Sequence, residues 1–471
     1  MRKKTKIIAT IGPSSEDVET LTKLHEAGVN IIRVNFSHGD YREHEGKIDR
    51  WNEIISDPDK NGAIMADLAG PEVRTGKLDA PRSFALGDKI TLTTDEALSG
   101  EALHINYAGL PGDVSVSDRV LIDDGLVSFT ISDITETDVI GEVTQAGTIT
   151  KGGRGVNVPG VRLSLPVLTE KDNADLEFSL KKDVDFVAVS FVKTAADIEL
   201  VREKLAEHKA EDTQIVAKIE TQSAVDDIDN IIATTDCIMV ARGDLAVEVG
   251  LENVPIIQKE IIKKCNAAGV PVITATQMLE SMTSAPTPTR AEASDVANAI
   301  FDGTDAIMLS GETALGKYPI ETVSVMTSIA QKVEFGYHRV HTSDLHGHAL
   351  PVDALTASVV SVADDIKAKA IVAFTESGYT ARMLSRYRPN QDIIVFSTTQ
   401  KVHRQMSMLY GCVALELGVD PGINIDTAVT GIKEALLETG KFKIGDMVVV
   451  AAGVTSSAEK LGTNTLLIAE L

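Results

Sequence analysis

A lysine and a glutamate stand two residues apart at the end of one apolar run. Lys218 and Glu220 flank Ile219, and in a strand such alternate residues point to the same face. Alone, this pair could be a structural ion pair, but Asp244 ends the next apolar run. Carboxylates on neighbouring strands are hard oxygen ligands that suit Mg²⁺ or Mn²⁺ and leave coordination positions for substrate oxygens. The pattern indicates phosphate chemistry.

Another run carries three polar residues at alternate positions. Arg33, Asn35 and Ser37 therefore share one face, which would be apolar in an ordinary barrel core. The planar guanidinium of Arg33 suits a phosphate, and Arg74 adds a second such group. Asp67 ends a third run. Together with Asn35 and Ser37 it forms an oxygen-rich cluster with one formal charge, which suits a monovalent cation.

Backbone amides and hydroxyls complete the candidate site. Gly243 lets the chain approach a ligand closely, and the local amides could hold a carboxylate or a phosphate. Thr276 and Ser310 end the next two apolar runs, where their hydroxyls either pack or relay a proton through water. The set contains no Cys or His nucleophile, so it favours phosphoryl transfer by positioning and charge stabilisation over covalent catalysis.

Eight short apolar runs, nearly all followed by polar or charged residues, must position these side chains. They are Ile7–Ile11, Ile31–Phe36, Ile64–Ala66, Phe186–Phe191, Ile215–Ile219, Ile238–Ala241, Val270–Ala275 and Ala306–Leu309. Eight buried parallel strands with helices between them predict a (β/α)8 TIM barrel, whose chemistry lies at the carboxyl ends of the strands. Helical patterns lie between the runs, for example Val18–Gly28 and Pro255–Ala268, the latter followed by Gly269.

The remaining sequence predicts two further domains. Residues 71–165 are rich in Gly, Thr, Val and Asp with short alternating stretches, so we expect an inserted small β-barrel that acts as a lid. Residues 343–471 contain five more apolar runs and predict an α/β domain with a mainly parallel sheet. The catalytic barrel then consists of residues 1–70 and 166–342. The stretch 337–350 carries four histidines and is expected to be a linker.

Composition narrows the functional classes. The 471 residues carry a net charge of −24, which argues against nucleic acid as a partner because phosphate backbones need a basic footprint. The three cysteines match no metal-ligand spacing and are expected to be buried, reduced thiols of a cytoplasmic protein. No run approaches the roughly 20 apolar residues of a membrane span, and the N-terminus does not resemble a signal peptide.

Over essentially its whole length the chain resembles the pyruvate kinase family. The matching motifs are Thr10–Ser15, Arg33–Gly39, Asp67–Gly76, Lys218–Glu220, Met239–Leu245, Ala275–Met282, Pro288–Glu292 and Met308–Ala314. The resemblance implies an enzyme that transfers the phosphoryl group of phosphoenolpyruvate to ADP, giving pyruvate and ATP in the last step of glycolysis. It also implies the catalytic barrel, the lid and a C-terminal regulatory domain.

The resemblance implies roles for individual residues. Glu220 and Asp244 would bind Mg²⁺ (or Mn²⁺), and Lys218 would stabilise the transferring phosphoryl group and the enolate. Arg33 would bind the substrate phosphate, and the Gly243 and Asp244 amides with Thr276 would bind the substrate carboxylate. The enolate would be protonated along a route that includes Thr276 and Ser310. The nucleotide would meet Asn35, His38, Arg74 and Arg154, and K⁺ would meet Asn35, Ser37, Asp67 and Leu68. A second metal would arrive with the nucleotide.

The chain departs from the family pattern at two places. Arg154 stands where Lys is usual, which keeps the charge. Potassium-dependent members share Glu72 but have Thr-Lys where Leu68 and Ala69 stand, whereas potassium-independent members commonly have Leu there and Lys in place of Glu72. An uncompensated Glu72 carboxylate would favour a bound cation, so we expect activation by K⁺.

The resemblance further implies an effector loop and a homotetramer. The effector loop comprises Thr375, Ser377, Gly378 and Thr380. Amides at a helix N-terminus can bind phosphate, but Glu376 opposes fructose 1,6-bisphosphate by charge. AMP, a sugar monophosphate or an ordinary turn without any effector therefore stay open. Some bacterial relatives have an extra C-terminal domain, and we expect it to be absent here.

Two other functions fit parts of the pattern. A phosphoenolpyruvate/pyruvate-type barrel enzyme, such as an aldolase or a mutase, would share the metal carboxylates but would not need the lid or Arg154. A non-catalytic binding protein on the same scaffold would be expected to lack one of four residues that this chain retains, namely Lys218, Glu220, Asp244 and Thr276.

Overall fold

The structure is a computed structural model that describes residues 3–57, 60–96, 102–336, 351–397, 399–416, 425–453 and 463–471. The expected histidine-rich linker at 337–350 lies outside these residues. The first elements are β1 (Lys6–Thr10), α1 (Val18–Ala27), β2 (Ile31–Asn35), α2 (Tyr41–Ile55) and β3 (Ala63–Asp67).

The inserted lid follows β3 and is a β unit with one short helix. Its elements are β4 (Arg82–Phe84), β5 (Lys89–Thr93), β6 (Leu103–His104), α3 (Leu110–Asp113), β7 (Arg119–Ile122), β8 (Val127–Ile134), β9 (Asp138–Gln145), β10 (Gly147–Ile149) and β11 (Val156–Asn157). Six strands form a sheet in the order β11-β7-β8-β9-β5-β6, and β10 pairs with β4. Arg74 bridges to Gly155 beside β11, and Thr75 bridges to Ile105 beside β6. The chain that enters the lid thus pairs with both edges of this sheet. Closure into the expected small β-barrel stays a prediction.

The chain then completes the catalytic barrel with five strands, nine α-helices and one 3-10 turn. They are α4 (Glu170–Lys181), β12 (Phe186–Val189), α5 (Ala195–Glu207), β13 (Gln214–Ile219), α6 (Gln222–Asp226), α7 (Ile228–Thr234), β14 (Cys237–Ala241), α8 (Arg242–Val249), α9 (Val254–Ala268), β15 (Val272–Ala275), a 3-10 turn (Glu280–Thr283), α10 (Arg290–Asp302), β16 (Ala306–Leu309), α11 (Gly311–Ala314) and α12 (Pro319–Gly336).

The eight parallel strands close in the order β1-β16-β15-β14-β13-β12-β3-β2, which confirms the predicted TIM barrel. Each predicted apolar run overlaps one of these strands, because such strands are buried on both faces and read as continuous apolar stretches. The predicted helix ends are also confirmed. Gly28 and Gly269 close α1 and α9 with φ values of 122° and 71°, a backbone region that L side chains rarely adopt.

The C-terminal domain is an α/β layer with a mainly parallel sheet, as predicted. Its elements are α13 (Pro351–Asp365), β17 (Ala370–Phe374), α14 (Tyr379–Ser385), β18 (Asp392–Ser397), α15 (Gln400–Gln405), a 3-10 turn (Met406–Met408), β19 (Cys412–Glu416), α16 (Ile425–Glu438), β20 (Met447–Ala452) and β21 (Thr465–Glu470). The strand order is β19-β18-β17-β20-β21, and only β21 runs antiparallel to its neighbour. The domain boundaries given above stay predictions.

All three cysteines are free and buried, as expected. Burial raises the pKa of the Cys412 thiol to about 12, so this side chain behaves as a packing group. Among the described helices, none combines the length and the apolar character that crossing a bilayer requires.

The C-terminal domain docks on the amino-terminal ends of the barrel strands through buried ion pairs. Arg388 lies 2.5 Å from the Asp305 carboxylate, and Asp305 immediately precedes β16. The same carboxylate accepts the amides of Val272 and Tyr410. Arg404 donates to Asp185, which precedes β12 and also accepts the Ile64 amide. The C-terminal domain therefore contacts the barrel at the residues that precede β12 and β16.

Replacing Arg388→Met should strongly destabilise the folded chain. Asp305 would stay buried without its cation, and breaking a buried pair in this way costs about 3–5 kcal/mol. The measurement is the urea or thermal unfolding midpoint of the variant beside that of the unmodified chain.

Lys259→Met is the matched control, because Lys259 pairs with Asp302 while its own side chain is exposed. Loss of such a pair should change stability by no more than about 1 kcal/mol. Equal midpoints for the two variants would contradict a special role of the buried pair.

Candidate active site

Four of the predicted site residues line one cavity between the barrel mouth and the lid. Its volume is about 310 Å³, and Glu220, Asp244, Arg74 and Arg154 all line it. The first two follow the ends of β13 and β14, and the arginines come from the lid. The strand ends thus bring together residues that the sequence separates by more than 150 positions.

Lys218 is a buried cation in contact with the Glu220 carboxylate, which lines this cavity. Its ammonium nitrogen lies 3.0 Å from the Glu220 carboxylate, 3.3 Å from the Asp67 carboxylate and 2.5 Å from the Ser190 hydroxyl. Burial alone would lower the pKa of Lys218, but the two carboxylates outweigh it and hold this pKa above its ordinary value. The side chain therefore carries a fixed positive charge at neutral pH.

Asp67 joins Lys218 to Arg33. One carboxylate oxygen faces Lys218, and the other accepts the Arg33 Nε at 2.6 Å. Burial opposes ionisation of Asp67, yet these two cations lower the pKa of its carboxyl below the ordinary value. Arg33 also donates to the Thr10 hydroxyl at 3.0 Å. Two of its five N–H donors are used by these bonds, so the guanidinium can still meet an anion.

Glu220 and Asp244 fit a divalent cation. Burial raises the pKa of the Glu220 carboxyl to about 7, with Lys218 opposing and Asp244 adding to the shift. A second cation beside these carboxylates would therefore be favourable. In the described part of the chain, no cluster of three or more His, Cys, Asp and Glu side chains could hold a metal. Two carboxylates with open positions are the donor set that Mg²⁺ commonly takes, since it keeps water or substrate oxygens in its shell.

Thr276 is held in an unusual backbone conformation. Its φ is 67° and that of Gln277 is 53°, a region that a β-branched residue rarely enters. The Thr276 hydroxyl donates to the Ala275 carbonyl at 2.7 Å and accepts the Gly243 amide at 2.9 Å. This backbone conformation places the hydroxyl beside the first turn of α8, whose Asp244 lines the cavity. Strained conformations of this kind are typical of functional sites.

Arg242 stabilises this conformation, a role that its place in an Arg-Gly-Asp motif did not suggest. Its guanidinium donates to the carbonyls of Ala275 and Thr276 at 3.1 and 2.6 Å. Asp295 of α10 holds the same guanidinium with both oxygens, at 2.9 and 2.7 Å. The bidentate pair fixes Arg242 and, through it, the strained turn. Sequence spacing offers no signal for a contact 53 residues apart.

Ser310 and Glu312 belong to the segment after β16, which also stabilises the loop that carries Thr276. The Ser310 hydroxyl oxygen is buried and has no hydrogen-bond partner among the described residues. The buried Glu312 carboxylate accepts the amides of Ser310 and Leu279 at 2.8 and 3.1 Å. It therefore ties the loop after β16 to the loop that carries Thr276. The sequence placed Glu312 behind a strand but gave no reason to assign it this role.

The lid arginines already have carboxylate partners. Arg154 lies 3.1 Å from Asp123. Arg74 forms an ion pair with Glu72 and also donates to the Gly153 carbonyl. Glu72 is thus compensated, contrary to the premise behind our sequence argument for K⁺, because the two side chains face each other although they are only two residues apart. Glu72 therefore gives no support to the predicted activation by K⁺.

The residues predicted to bind K⁺ follow β2 and β3, which are neighbours in the barrel. Asn35 pairs in register with Asp67, and its side-chain oxygen accepts the Ser37 amide at 3.2 Å. The Leu68 side chain is buried, and its carbonyl accepts the Ser190 hydroxyl at 2.7 Å. Ser37 and His38 are exposed. The set is assembled around an Asp67 that two cations already neutralise.

The predicted effector loop lies between β17 and α14. Gly378 precedes α14 with a φ of 79°, which only glycine adopts readily. Thr375 and Thr380 are buried, and the Thr380 hydroxyl lies 2.7 Å from that of Thr463. The Ser377 side chain is exposed. The loop therefore offers one exposed hydroxyl beside a glycine turn.

Comparison with known proteins gives the same family along the whole chain. Residues 2–323 match the family model "Pyruvate kinase, barrel domain", and residues 353–469 match "Pyruvate kinase, alpha/beta domain". The pyruvate kinase of Bacillus licheniformis is 46% identical over 99% of this chain and 80% of its own length. That of Clostridium acetobutylicum is 44% identical over 98% of both chains.

A solved structure agrees with the fold. The crystal structure of a pyruvate kinase from Cryptosporidium parvum is 36% identical, with a TM-score of 0.90 over 99% of this chain and 96% of that one. The barrel, the C-terminal domain and the sequence identity point to one assignment. The chain belongs to the pyruvate kinase family, a family of phosphotransferases that transfer the phosphoryl group of phosphoenolpyruvate to ADP, giving pyruvate and ATP in glycolysis.

Proposed function

We propose that Lys218 is the central catalytic residue of this phosphoryl transfer. The observation that carries the proposal is its buried ammonium group, which contacts the Asp67 carboxylate and the Glu220 carboxylate that lines the cavity. A fixed cation in a site shielded from water stabilises the charge that develops on the transferring phosphoryl group and on the enolate. It needs no reorganisation at the moment of reaction.

Glu220 and Asp244 hold Mg²⁺, or Mn²⁺, in this proposal. The support is their shared cavity and the raised pKa of the Glu220 carboxyl, which burial causes and the nearby Asp244 carboxylate increases. When bound, the ion supplies positive charge to the substrate oxygens and fixes their orientation. A second divalent ion arrives with the nucleotide.

The substrate anion is held at two ends. Arg33 binds the phosphate, with Asp67 and Thr10 fixing its guanidinium. The Asp244 amide binds the carboxylate together with the Gly243 amide and the Thr276 hydroxyl, which exchange their bonds to each other and to the Ala275 carbonyl for bonds to the substrate. The amino-terminal end of α8 favours this negative charge electrostatically. Two anchored ends restrict the phosphoenolpyruvate to one orientation, and such restriction contributes substantially to catalysis.

The nucleotide and the proton approach from different elements. Arg74 and Arg154 of the lid bind the ADP phosphates, with Asn35 and His38 beside them. The enolate takes up its proton along a route that includes Thr276 and Ser310. The buried, unpartnered Ser310 hydroxyl supports this role, because such an oxygen costs free energy unless a water or a reacting group satisfies it.

Several finer properties belong to the same proposal. K⁺ binds to Asn35, Ser37, Asp67 and the Leu68 carbonyl. A phosphorylated effector, with a monophosphate favoured over a bisphosphate, binds to Thr375, Ser377, Gly378 and Thr380. The enzyme acts in the cytoplasm as a homotetramer.

Lys218→Met should lower turnover by about three orders of magnitude, because removing one preorganised electrostatic group costs on the order of 10²–10³-fold or more. The measurement is pyruvate formation from phosphoenolpyruvate and ADP with Mg²⁺, with the unfolding midpoint recorded in parallel. Lys47→Met is the control, since Lys47 is equally buried but lies on α2. Near-normal turnover of the Lys218 variant would refute the assigned role.

Arg154→Met should raise the KM for ADP by about tenfold, since a charge-assisted bond to a phosphate contributes on the order of 1.5–3 kcal/mol. The KM for phosphoenolpyruvate should stay the same. Arg119→Met serves as the control, because Arg119 is an exposed arginine of the same lid. An unchanged KM for ADP would remove Arg154 from the nucleotide site.

K⁺ should raise the activity on the order of tenfold, the usual size of coupling between two ligand sites. The comparison requires Mg²⁺ at fixed concentration and constant ionic strength. Equal activity with and without K⁺ would confirm a pyruvate kinase but would overturn the K⁺ site.

A further inference from the structure

Ser190 lies between the catalytic lysine and the chain that enters the lid. It follows β12 and is 2% exposed. Its hydroxyl oxygen is 2.5 Å from the Lys218 ammonium nitrogen and 2.7 Å from the Leu68 carbonyl oxygen. An ammonium group only donates hydrogen bonds. The hydroxyl must therefore accept from Lys218 and give its single proton to Leu68, so the direction of this chain of bonds is fixed.

The other two partners of Lys218 are shared with other groups. Asp67 also accepts from Arg33, and Glu220 also accepts the Phe191 amide at 2.7 Å. Both carboxylates change their surroundings when substrate or a divalent ion binds beside them. The Ser190 hydroxyl is neutral, and among the described residues its partners are Lys218 and the Leu68 carbonyl. It is therefore the partner whose bond to the ammonium group depends least on the state of the site.

The Leu68 carbonyl connects this bond to the hinge of the lid. Two residues later, the Gly70 amide donates to one oxygen of the buried Asp172 at 3.0 Å. The other Asp172 oxygen accepts the Thr169 amide and hydroxyl at 2.9 and 2.6 Å. Gly70 lies where the chain leaves the barrel, and Thr169 lies where it returns. Asp172 thus ties both crossings together.

The hinge also packs directly on Ser190. A Cβ atom built on Gly70 would lie 2.8 Å from the Ser190 Cβ, and the Gly70 φ is 74°. Only glycine allows the entering chain to pass this close. Hydrogen bonding and steric fit therefore act on the same serine from the lid side, while Lys218 contacts it from the catalytic side.

We propose that Ser190 is a positioning residue that sets the direction of the Lys218 ammonium group from the backbone of the lid hinge. One hydroxyl group then fixes both the position of the lid on the barrel and the direction of the Lys218 ammonium group. This inference rests on the catalytic role proposed for Lys218.

Ser190→Ala should lower kcat by about tenfold or more, because small displacements of a catalytic group cost up to about 10²-fold. The KM for phosphoenolpyruvate should change by less than about twofold, since an interaction made only in the transition state affects kcat and not ground-state binding. Ser190→Cys should fall between the two proteins, because a thiol keeps a weak donor and a weak acceptor. An unchanged kcat, or an equal loss in Ser190→Cys and Ser190→Ala, would overturn the inference.

Ser179→Ala is the matched control. Ser179 is fully buried, and its hydroxyl donates to the Asp175 carbonyl at 2.7 Å, within α4. It therefore reproduces the loss of a buried hydroxyl in the same barrel without contact with Lys218. Its kcat should equal that of the unmodified protein. Equal losses of kcat in Ser179→Ala and Ser190→Ala would show a general packing effect and would overturn the inference.

A double variant separates positioning from independent damage. In the Lys218→Met background, Ser190→Ala should cause no further loss of kcat, because residues that act as a unit are not additive. A full additional loss would overturn the inference. If Lys218→Met alone kept its turnover, the proposed function would fail first. If it lost turnover while Ser190→Ala behaved like the control, only the role of Ser190 would fail.

Discussion

The structure depends on keeping one lysine charged where water is largely excluded. A buried ammonium group is tolerated only when opposite charges and acceptors surround it, and Lys218 has two carboxylates and a hydroxyl. Those carboxylates are supplied by two barrel strands, and one of them also holds Arg33. The strand register therefore decides which charges meet. A one-residue slip would turn these side chains to the other face of the sheet, so this cluster of charges depends on the barrel geometry.

Much of this arrangement could be predicted because it follows from local rules. Parallel barrel strands are buried on both faces, so each one left a short apolar run in the sequence, and all eight runs correspond to strands. Alternation within a strand correctly placed Lys218 and Glu220 on one side. Glycines with positive φ marked the ends of α1 and α9. The lid could be recognised by its short alternating stretches, which differ from barrel strands because one face meets solvent.

The supporting contacts could not be predicted, because no periodicity encodes them. Arg242 meets Asp295 across 53 residues, and Arg388 meets Asp305 across 83. In the sequence Ser190 is a polar residue within an apolar run, and its contact with Lys218 depends on how the neighbouring strands pack. The ion pair between Glu72 and Arg74 could not be predicted either, since counting charges along the sequence does not show which way the Arg74 side chain turns. Tertiary structure assigns these partners, and with them the orientation of the groups that the motifs do identify.

The place of the lid within the chain also constrains how the barrel folds. β3 and β12 are neighbours in the closed sheet, with Met65 in register with Phe186, although about 120 residues separate them. The entropic cost of closing such a loop grows only slowly with its length, but distant pairings still slow folding. A lid that folds early brings its two crossings side by side, where Asp172 can join Gly70 and Thr169. If the lid folds first, the inserted domain shortens the effective loop, and the lid that covers the finished site would also serve as a template for closing the barrel.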